Sequence, residues 1–586
     1  MAVRRIFGAS GAAVALVAAL PALAQGVPQP VGAAPPTREE LDPSRRAPLP
    51  TRPRLSVEGE IERSACALDD PAYAAIRITL SDAVFNNLGP VDPAEIASLW
   101  RPLAGREQPI SVVCEIRDAV ATALRARGYI AAVQVPAQRI EGGVVRFEVL
   151  YARLTALRVR GDAGRDEALV ARYLSHIATG QVFNRRDAER YLLLARDIPG
   201  LDVRLQLKPA GTAAGEMIGE VAVRRTPIEA DATIQNYAPS ETGPWAGQLR
   251  AQIYGLTGLG DRTMVSGYSS FDFGEQQVVQ VAHDFAAGGQ GLRLGGRFTY
   301  GWTHPSLGPA ADSVRARSLF GNFEASYPFV RRQAGSLVGA IGFDYVDQDV
   351  TFRGLPLSQD RLRVVYARLD ADAIDLVGRG PGGAIAWHLA GSLELRQGVG
   401  IFGASPNCLA NLALCATIVP PSIVGGDPQA FVARFNGLAE WRFARAWTLA
   451  LLPRGQIASA AVLAFEQFSA GNFTVGRGYE PGALTGQSGA GFQAELRLDS
   501  LSLSMKHRIA VQPFAFIDSD WVWNRAANDS PRQLASVGGG ARLGVSDRLR
   551  VDFALAVPLR DAGQTRAGDV RALLSVTARL WPWKRA

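Results

Sequence analysis

Residues 292–302 read LRLGGRFTYGW. Leu292, Leu294, Phe298, Tyr300 and Trp302 share one parity, and Arg293, Arg297 and Thr299 share the other. A period of two is that of a strand, whose successive side chains point to opposite faces. The pattern returns near the end of the chain. There Val551, Phe553, Leu555 and Val557 oppose Asp552, Ala554 and Ala556, and Leu574, Val576 and Leu580 oppose Ser575, Thr577 and Arg579. A soluble sandwich also alternates, with its polar face outward. Here the apolar faces are rich in aromatics, the strands are long, and glycine is frequent on the polar side. That is the pattern of a transmembrane β-barrel, apolar toward lipid and polar toward the lumen. From about residue 228 this alternation replaces any helical period. Residues 228–586, at roughly 20–24 residues per strand and connection, predict about 16 antiparallel strands. Trp581 and Trp583 suit an interfacial aromatic girdle.

Upstream the period changes. Over residues 57–152, Ile76, Ile78 and Leu80 alternate as a strand, and Glu95–Leu103 and Val112–Arg127 read as helices. Val113, Ile116, Val120 and Leu124 fall on one face of the second helix, which Gly128 ends. Strands follow at 133–135 and 145–149, split by the turn Glu141-Gly142-Gly143. The order is β-α-α-β-β. Residues 153–227 repeat it: a strand at 157–159, helices at 167–177 and 186–197, a break at Pro199-Gly200, then strands around 203–207 and 221–223. Two units with one element order predict a duplicated small α+β module.

The first 56 residues belong to neither pattern. Arg4-Arg5, an apolar run from Ile6 to Leu20, and Ala22-Leu23-Ala24 before Gln25 read as a signal peptide over 1–24. Residues 25–56 carry eight prolines and read as an extended linker, in which only Thr37–Leu41 could start a short helix, the kernel of a possible plug at 36–45. Export implies an oxidising compartment, so the four cysteines are candidates for disulfides. Of three connectivities, the local one, Cys66–Cys114 with Cys408–Cys415, is expected.

Charge excludes little else. The chain has 62 Lys and Arg against 55 Asp and Glu, a net charge of +7, and the first 56 residues account for about half of it. No concentrated basic face suggests nucleic acid. No phosphate-binding G-x-x-x-x-G-K-[ST] motif occurs. None of the five histidines (His176, His283, His304, His388, His507) stands in a recognisable catalytic motif, and no cofactor or metal is expected.

Several stretches carry a family likeness. Arg127-Gly128-Tyr129-Ile130, Val135-Pro136-Ala137-Gln138 and Glu141-Gly142-Gly143 resemble the end of a first periplasmic POTRA module. LLLARDIPG at 192–200 resembles a second. EQFSAGNFTVGRGYEPG at 466–482 resembles an E-Q-F…G-G…V-R-G-Y stretch, and Phe516-Ile517-Asp518-Ser519-Asp520 an F-x-D-x-G strand motif. In this order they resemble the two-partner secretion transporters, relatives of the outer-membrane protein assembly factors. Cys66 and Cys114 sit where many members' first module has a cysteine pair. Three departures stand out: Gly476 separates Val475 from Arg477, Asp520 replaces the final glycine, and Lys584-Arg585-Ala586 stands where the family has an aromatic last residue.

Parity and resemblance meet at Asp518. It shares a face with Phe514, Phe516 and Asp520, opposite Ala515 and Ile517, so it should face the lumen, since a carboxylate facing lipid is costly. By itself Arg477-Gly478-Tyr479 reads as a solvated turn. The resemblance implies instead that Arg477 lies at the tip of a long loop folded into the barrel and locks onto Asp518. Gly478 then lets the loop turn, Tyr479 packs on the wall, and Phe516 belongs to the same motif. The loop holding Cys408 and Cys415 is expected outside the cell. The resemblance implies an outer membrane of a Gram-negative bacterium with the POTRA modules in the periplasm. It also implies a secreted partner, a large β-helical exoprotein captured at an open sheet edge, and insertion by the barrel-assembly machinery. An assembly factor of the same superfamily is the alternative. A porin does not explain the modules, and an enzyme lacks a motif.

Overall fold

The computed structural model describes residues 37–41, 57–58, 66–177, 182–213, 215–306, 314–408, 410, 412–415, 417–504, 508–525 and 530–582. The expected signal peptide, most of the linker, His507, Trp583 and the final Lys584-Arg585-Ala586 lie outside the described residues.

Residues from Ile228 to Trp581 form a closed antiparallel barrel. It has 16 strands, one of them in two segments, Ser488–Leu498 and Leu501–Ser504, which pair with the same neighbour. The first strand, Ile228–Gln235, closes the barrel on the last, Arg571–Trp581, with Thr233 opposite Thr577. Closure removes the free edges that lipid cannot solvate. The alternation sorts as expected. Phe298 and Trp302 are exposed toward lipid while Thr299 between them is buried inside, and Phe553 and Leu555 are exposed while Ala554 and Ala556 are buried. Among the described residues no helix is long and apolar enough to cross a membrane.

Residues 66–151 form the first module. Its helix Val112–Ala126 buries Val113, Ile116, Val120 and Leu124 completely, each worth roughly 1.5–3 kcal/mol. Gly128 ends the helix at φ +94°, where the Tyr129 amide donates back to the Leu124 carbonyl. One expectation fails here. The strand read at 76–80 covers only Arg77–Thr79 and pairs with Glu107–Pro109 in a separate ribbon. The sheet takes Asp82–Asn86 instead, parallel to Val144–Tyr151. Its Phe85 stacks on Phe147, 4.8 Å between ring centroids, and that packing outweighs the breaker residues around it.

The second module packs helices Glu167–Leu174 and Arg185–Arg196 on strands Arg153–Gly161, Leu201–Pro209 and Glu216–Arg225. Val57–Glu58 adds to its edge, parallel to Leu205 and Gln206. These two residues, read as the start of the first module, therefore belong to the second module's sheet.

The second module sits on the barrel's near end. Arg331 forks onto Asp197 at 2.5 and 2.6 Å, and Arg190 donates to the Gln290 carbonyl. The Gly260 amide donates to the Asp166 carboxylate at 2.8 Å. Gly260 has φ +61°, and a Cβ there would lie 2.6 Å from Leu169, so the turn needs glycine twice over. Burial raises the Asp166 carboxyl above its ordinary range. Burial pushes Asp261 the same way, but the Thr257 hydroxyl and the amides of Thr257 and Leu256 outweigh it and hold that carboxyl low.

Candidate functional site

The connection between strands Trp447–Ala458 and Ser488–Leu498 leaves the barrel at the end opposite the modules and turns back into the lumen. Its arms pair as a two-stranded ribbon, Phe468–Ala470 with Leu484–Gly486. The tip between them is tightly made. The Gly471 amide donates to the Val475 carbonyl, the Thr474 amide to Gly471, and the Tyr479 amide to Gly476. Gly476, the residue inserted before the Arg-Gly-Tyr core, takes φ +115°, and a Cβ there would lie 2.6 Å from Leu534. The inserted residue is thus one that turns the chain. Gly478, expected to do that, is not in the left-handed region. A Cβ at Gly478 would meet Ser536 Cβ at 2.8 Å and the Pro558 nitrogen at 2.9 Å, so its smallness serves close approach to the wall.

Arg477 reaches Asp518. Its Nε lies 2.9 Å from Oδ2 and its Nη2 2.6 Å from Oδ1, a fork onto both carboxylate oxygens, and its own amide donates to Oδ2 at 3.0 Å. Asp518 is fully buried. The guanidinium also stands 3.6 Å over the Phe516 ring, a cation–π contact worth about 2 kcal/mol when desolvated. Two residues of one motif therefore make one receptor. Phe516 supplies a floor, Asp518 the charge, and the strand parity between them puts both on the lumenal side.

Glu495, which the sequence reading missed, completes it. Across from Phe516 on the neighbouring strand, it accepts from Arg477 Nη1 at 2.5 Å and from Arg542 and Arg497 at 2.8 and 2.7 Å. The signal was the alternation Gln493, Glu495, Arg497 against Ala494 and Leu496, which sends all three polar residues inward. Tyr479 is fully buried, as expected of a residue packed on the wall. Its hydroxyl lies 2.8 Å from the Ala535 and Arg560 carbonyl oxygens, bridging the strand Arg532–Val545 and the connection that follows Leu549–Pro558. Asp520 faces inward and is fully buried, 3.9 Å from Arg454. A Cβ on Gly491 would overlap it, so Gly491 makes the room that the missing glycine of the strand motif would otherwise leave.

The linker helix also lies in the lumen. Arg38–Leu41 is helical, and Leu41 is buried with Phe320, Val346, Leu362, Leu463 and Phe465 from both wall and loop. The structure joins Cys66 to Cys114 and, in the connection 399–430 at the far end, Cys408 to Cys415. Cys66, Asp69 and Cys114 are, among the described residues, one cluster of metal-ligand types, but both sulfurs are spent in the disulfide. His388 meets Asp372 at 3.0 Å through one ring nitrogen and Glu440 at 3.2 Å through the other, which leaves neither for a nucleophile.

Comparison with known proteins agrees with this architecture. The family model for haemolysin secretion/activation proteins ShlB/FhaC/HecB matches residues 313–543, and that for the ShlB-type POTRA domain matches residues 78–151. No curated protein matches the chain. Among solved structures, CdiB from Escherichia coli is 16% identical with a TM-score of 0.67, over 89% of this chain and 94% of its own. CdiB from Acinetobacter baumannii is 14% identical with a TM-score of 0.59, over 89% and 94%. BamA from Haemophilus ducreyi lacking POTRA domains 1–3 is 13% identical with a TM-score of 0.50, over 86% and 100%. At these identities the solved structures speak for the fold, and the family models speak for kinship. The chain belongs to the ShlB/FhaC/HecB family of haemolysin secretion/activation proteins, the outer-membrane β-barrel transporters of two-partner secretion.

Proposed function

We propose that this protein exports one dedicated partner protein from the periplasm, across the outer membrane of a Gram-negative bacterium and through its own barrel. The observation that carries the reading is a lumen filled by the chain itself. The loop 459–487 is forked onto Asp518 through Arg477, and the helix Arg38–Leu41 lies beside it. A passive porin keeps its channel open. A lumen occupied by segments held through side-chain contacts fits a channel that opens for a cargo.

The modules are the receiving end. An unfolded segment binds as an added strand on an open sheet edge, with backbone hydrogen bonds for affinity and apolar pockets for selectivity. Asp82–Asn86, bonded on one side only, is such an edge in the first module, and Arg153–Gly161 in the second. The partner is a large β-helical exoprotein, and its folding outside the cell biases the passage outward. Residues 1–24 direct the chain to the periplasm, and the barrel-assembly machinery inserts it. The protein itself performs no catalysis.

The test is a comparison of proteins in the medium and in the outer membrane, with this protein present or deleted. Loss of one large protein from the medium, with other barrels intact, supports export. Depletion of many barrels from the membrane would instead make the protein an assembly factor, the reading favoured by its likeness to the BamA fold.

A further inference from the structure

The in-folded loop begins with a second charged residue, Glu466, which is 5% exposed and lies eleven positions before Arg477. Arg396, on strand Trp387–Gly398, forks onto it with Nε at 3.1 Å and Nη2 at 2.8 Å. Arg434, on strand Phe431–Ala444, adds a bond to the same carboxylate at 2.8 Å and one to the Glu466 carbonyl at 3.1 Å. Gln456 donates to that carbonyl as well, at 2.7 Å. All of these side chains are buried.

The polarity is the reverse of that at the tip. At the tip the loop brings a cation to an acidic wall, and at the root it brings an anion to a basic one. The two anchors also use different wall strands. Arg477 holds to Ser488–Leu498 and Ile509–Trp523, and Glu466 holds to Trp387–Gly398 and Phe431–Ala444.

The consequences of release differ. When the root leaves, Arg396 keeps Glu394 and Asp344, each at 2.8 Å, and the wall retains two cations against two anions. When the tip leaves, Asp518 loses three donors at once and, among the described residues, keeps Ser536 at 3.5 Å. A buried carboxylate without a cation is costly, and a buried guanidinium still shared by two carboxylates is much less so. The neighbours of Glu466 in sequence, Leu463 and Phe465, also pack in the cluster that holds Leu41, so the linker helix bears on the root.

We propose that Glu466 is a positioning residue for transport, pinning the root of the loop through Arg396 and Arg434 independently of Arg477, as the anchor that can be released and remade. The proposal rests on the reading of this loop as the moving element of an exporter.

The experiment places a reporter thiol at Ala470, which is fully buried in the loop ribbon, and measures its labelling in whole cells by a membrane-impermeant maleimide. Correct folding is checked by heat-modifiable migration of the barrel. Glu466→Gln should raise the labelling rate roughly tenfold or more, as expected for loss of a buried charge-assisted fork. Adding Arg477→Ala should multiply the rate again by the factor it has alone. Since Glu466→Gln could fail to fold, Glu466→Arg combined with Arg396→Glu is the second variant. It keeps the cluster's net charge and should label more slowly than either single change. Unchanged labelling in folded Glu466→Gln, or a charge exchange no slower than its worse parent, overturns the anchor. Secretion of the partner is scored in the same strains. Lost secretion with unchanged labelling refutes the anchor and leaves export standing. Raised labelling where even the wild type secretes no partner upholds the anchor and refutes export.

Discussion

The guanidinium of Arg477 stands 3.6 Å above the ring of Phe516 while its nitrogens fork onto Asp518, two residues further along the same strand. One arginine is thus read by a flat apolar face and a charge at once. Lysine offers no planar fork and stacks poorly, so Arg477→Lys should behave nearly as a loss. Phe516→Leu keeps the charge and removes the ring. It should weaken loop docking by about 2 kcal/mol, seen as faster protease cleavage within 471–480 with the barrel still folded.

Asp518→Ala should be more severe. It leaves Arg477 with Glu495 as its remaining carboxylate, and losing one partner of a buried pair costs roughly 3–5 kcal/mol. Loop protease sensitivity should exceed that of Phe516→Leu. Equal sensitivity would mean that the ring, not the charge, holds the tip.

Gly478→Ala tests the close approach. The added methyl meets Ser536 and the Pro558 backbone below 3.0 Å, and overpacking of this kind costs about 1–3 kcal/mol. Gly476→Ala adds a left-handed backbone to a clash with Leu534. Both should lower the secreted amount of partner with no loss of barrel in the membrane.

The seam between module and barrel has a pH signature. The carboxyl of Asp261 is held below its ordinary value of 3.8 in the folded chain. The stability it gives the turn is complete above that value and drains away as pH falls through the lowered one. Hydrogen-exchange protection of the Leu256 and Thr257 amides, which it accepts from, should therefore drop in acid. Asp261→Asn should remove that dependence.

Reducing the disulfide tests the first module. Cys66–Cys114 closes a separation of 48 residues, worth up to about 4 kcal/mol on the chain-entropy account. Cys66→Ser with Cys114→Ser should make residues 66–151 the first part of the chain to be cut by protease, leaving the barrel resistant.

Much of this was legible because a barrel strand writes its orientation into its parity. Asp518 and Phe516 could be placed on the lumenal face from alternation alone, as could Phe298 and Trp302 on the lipid face. Parity says which way a residue points and not whom it meets. Glu495 points inward by the same rule, yet its partners Arg477 and Arg542 lie in the folded-in loop and on another strand, while Glu466 sits in that loop, where no strand parity applies. The first module misled for a different reason. Ile76, Ile78 and Leu80 alternate cleanly, but only Ile78 falls in the short ribbon Arg77–Thr79, while Asp82–Asn86 owes its place to the stacking of Phe85 on Phe147. Val57–Glu58 carries too few residues for any period to show, and only the second module's open edge gives it a strand. Gly476 looked like a defect in the motif, and its φ makes it a turn residue.

The central claim is that export depends on the pairing of Arg477 with Asp518. Its most direct test is the amount of partner protein in the medium from cells carrying the wild type, Arg477→Asp, Asp518→Arg, or both changes together, at matched barrel levels. Each single reversal should abolish most of the secretion, and the double reversal should recover part of it. A double reversal that secretes no more than the worse single change would contradict direct pairing as the basis of transport.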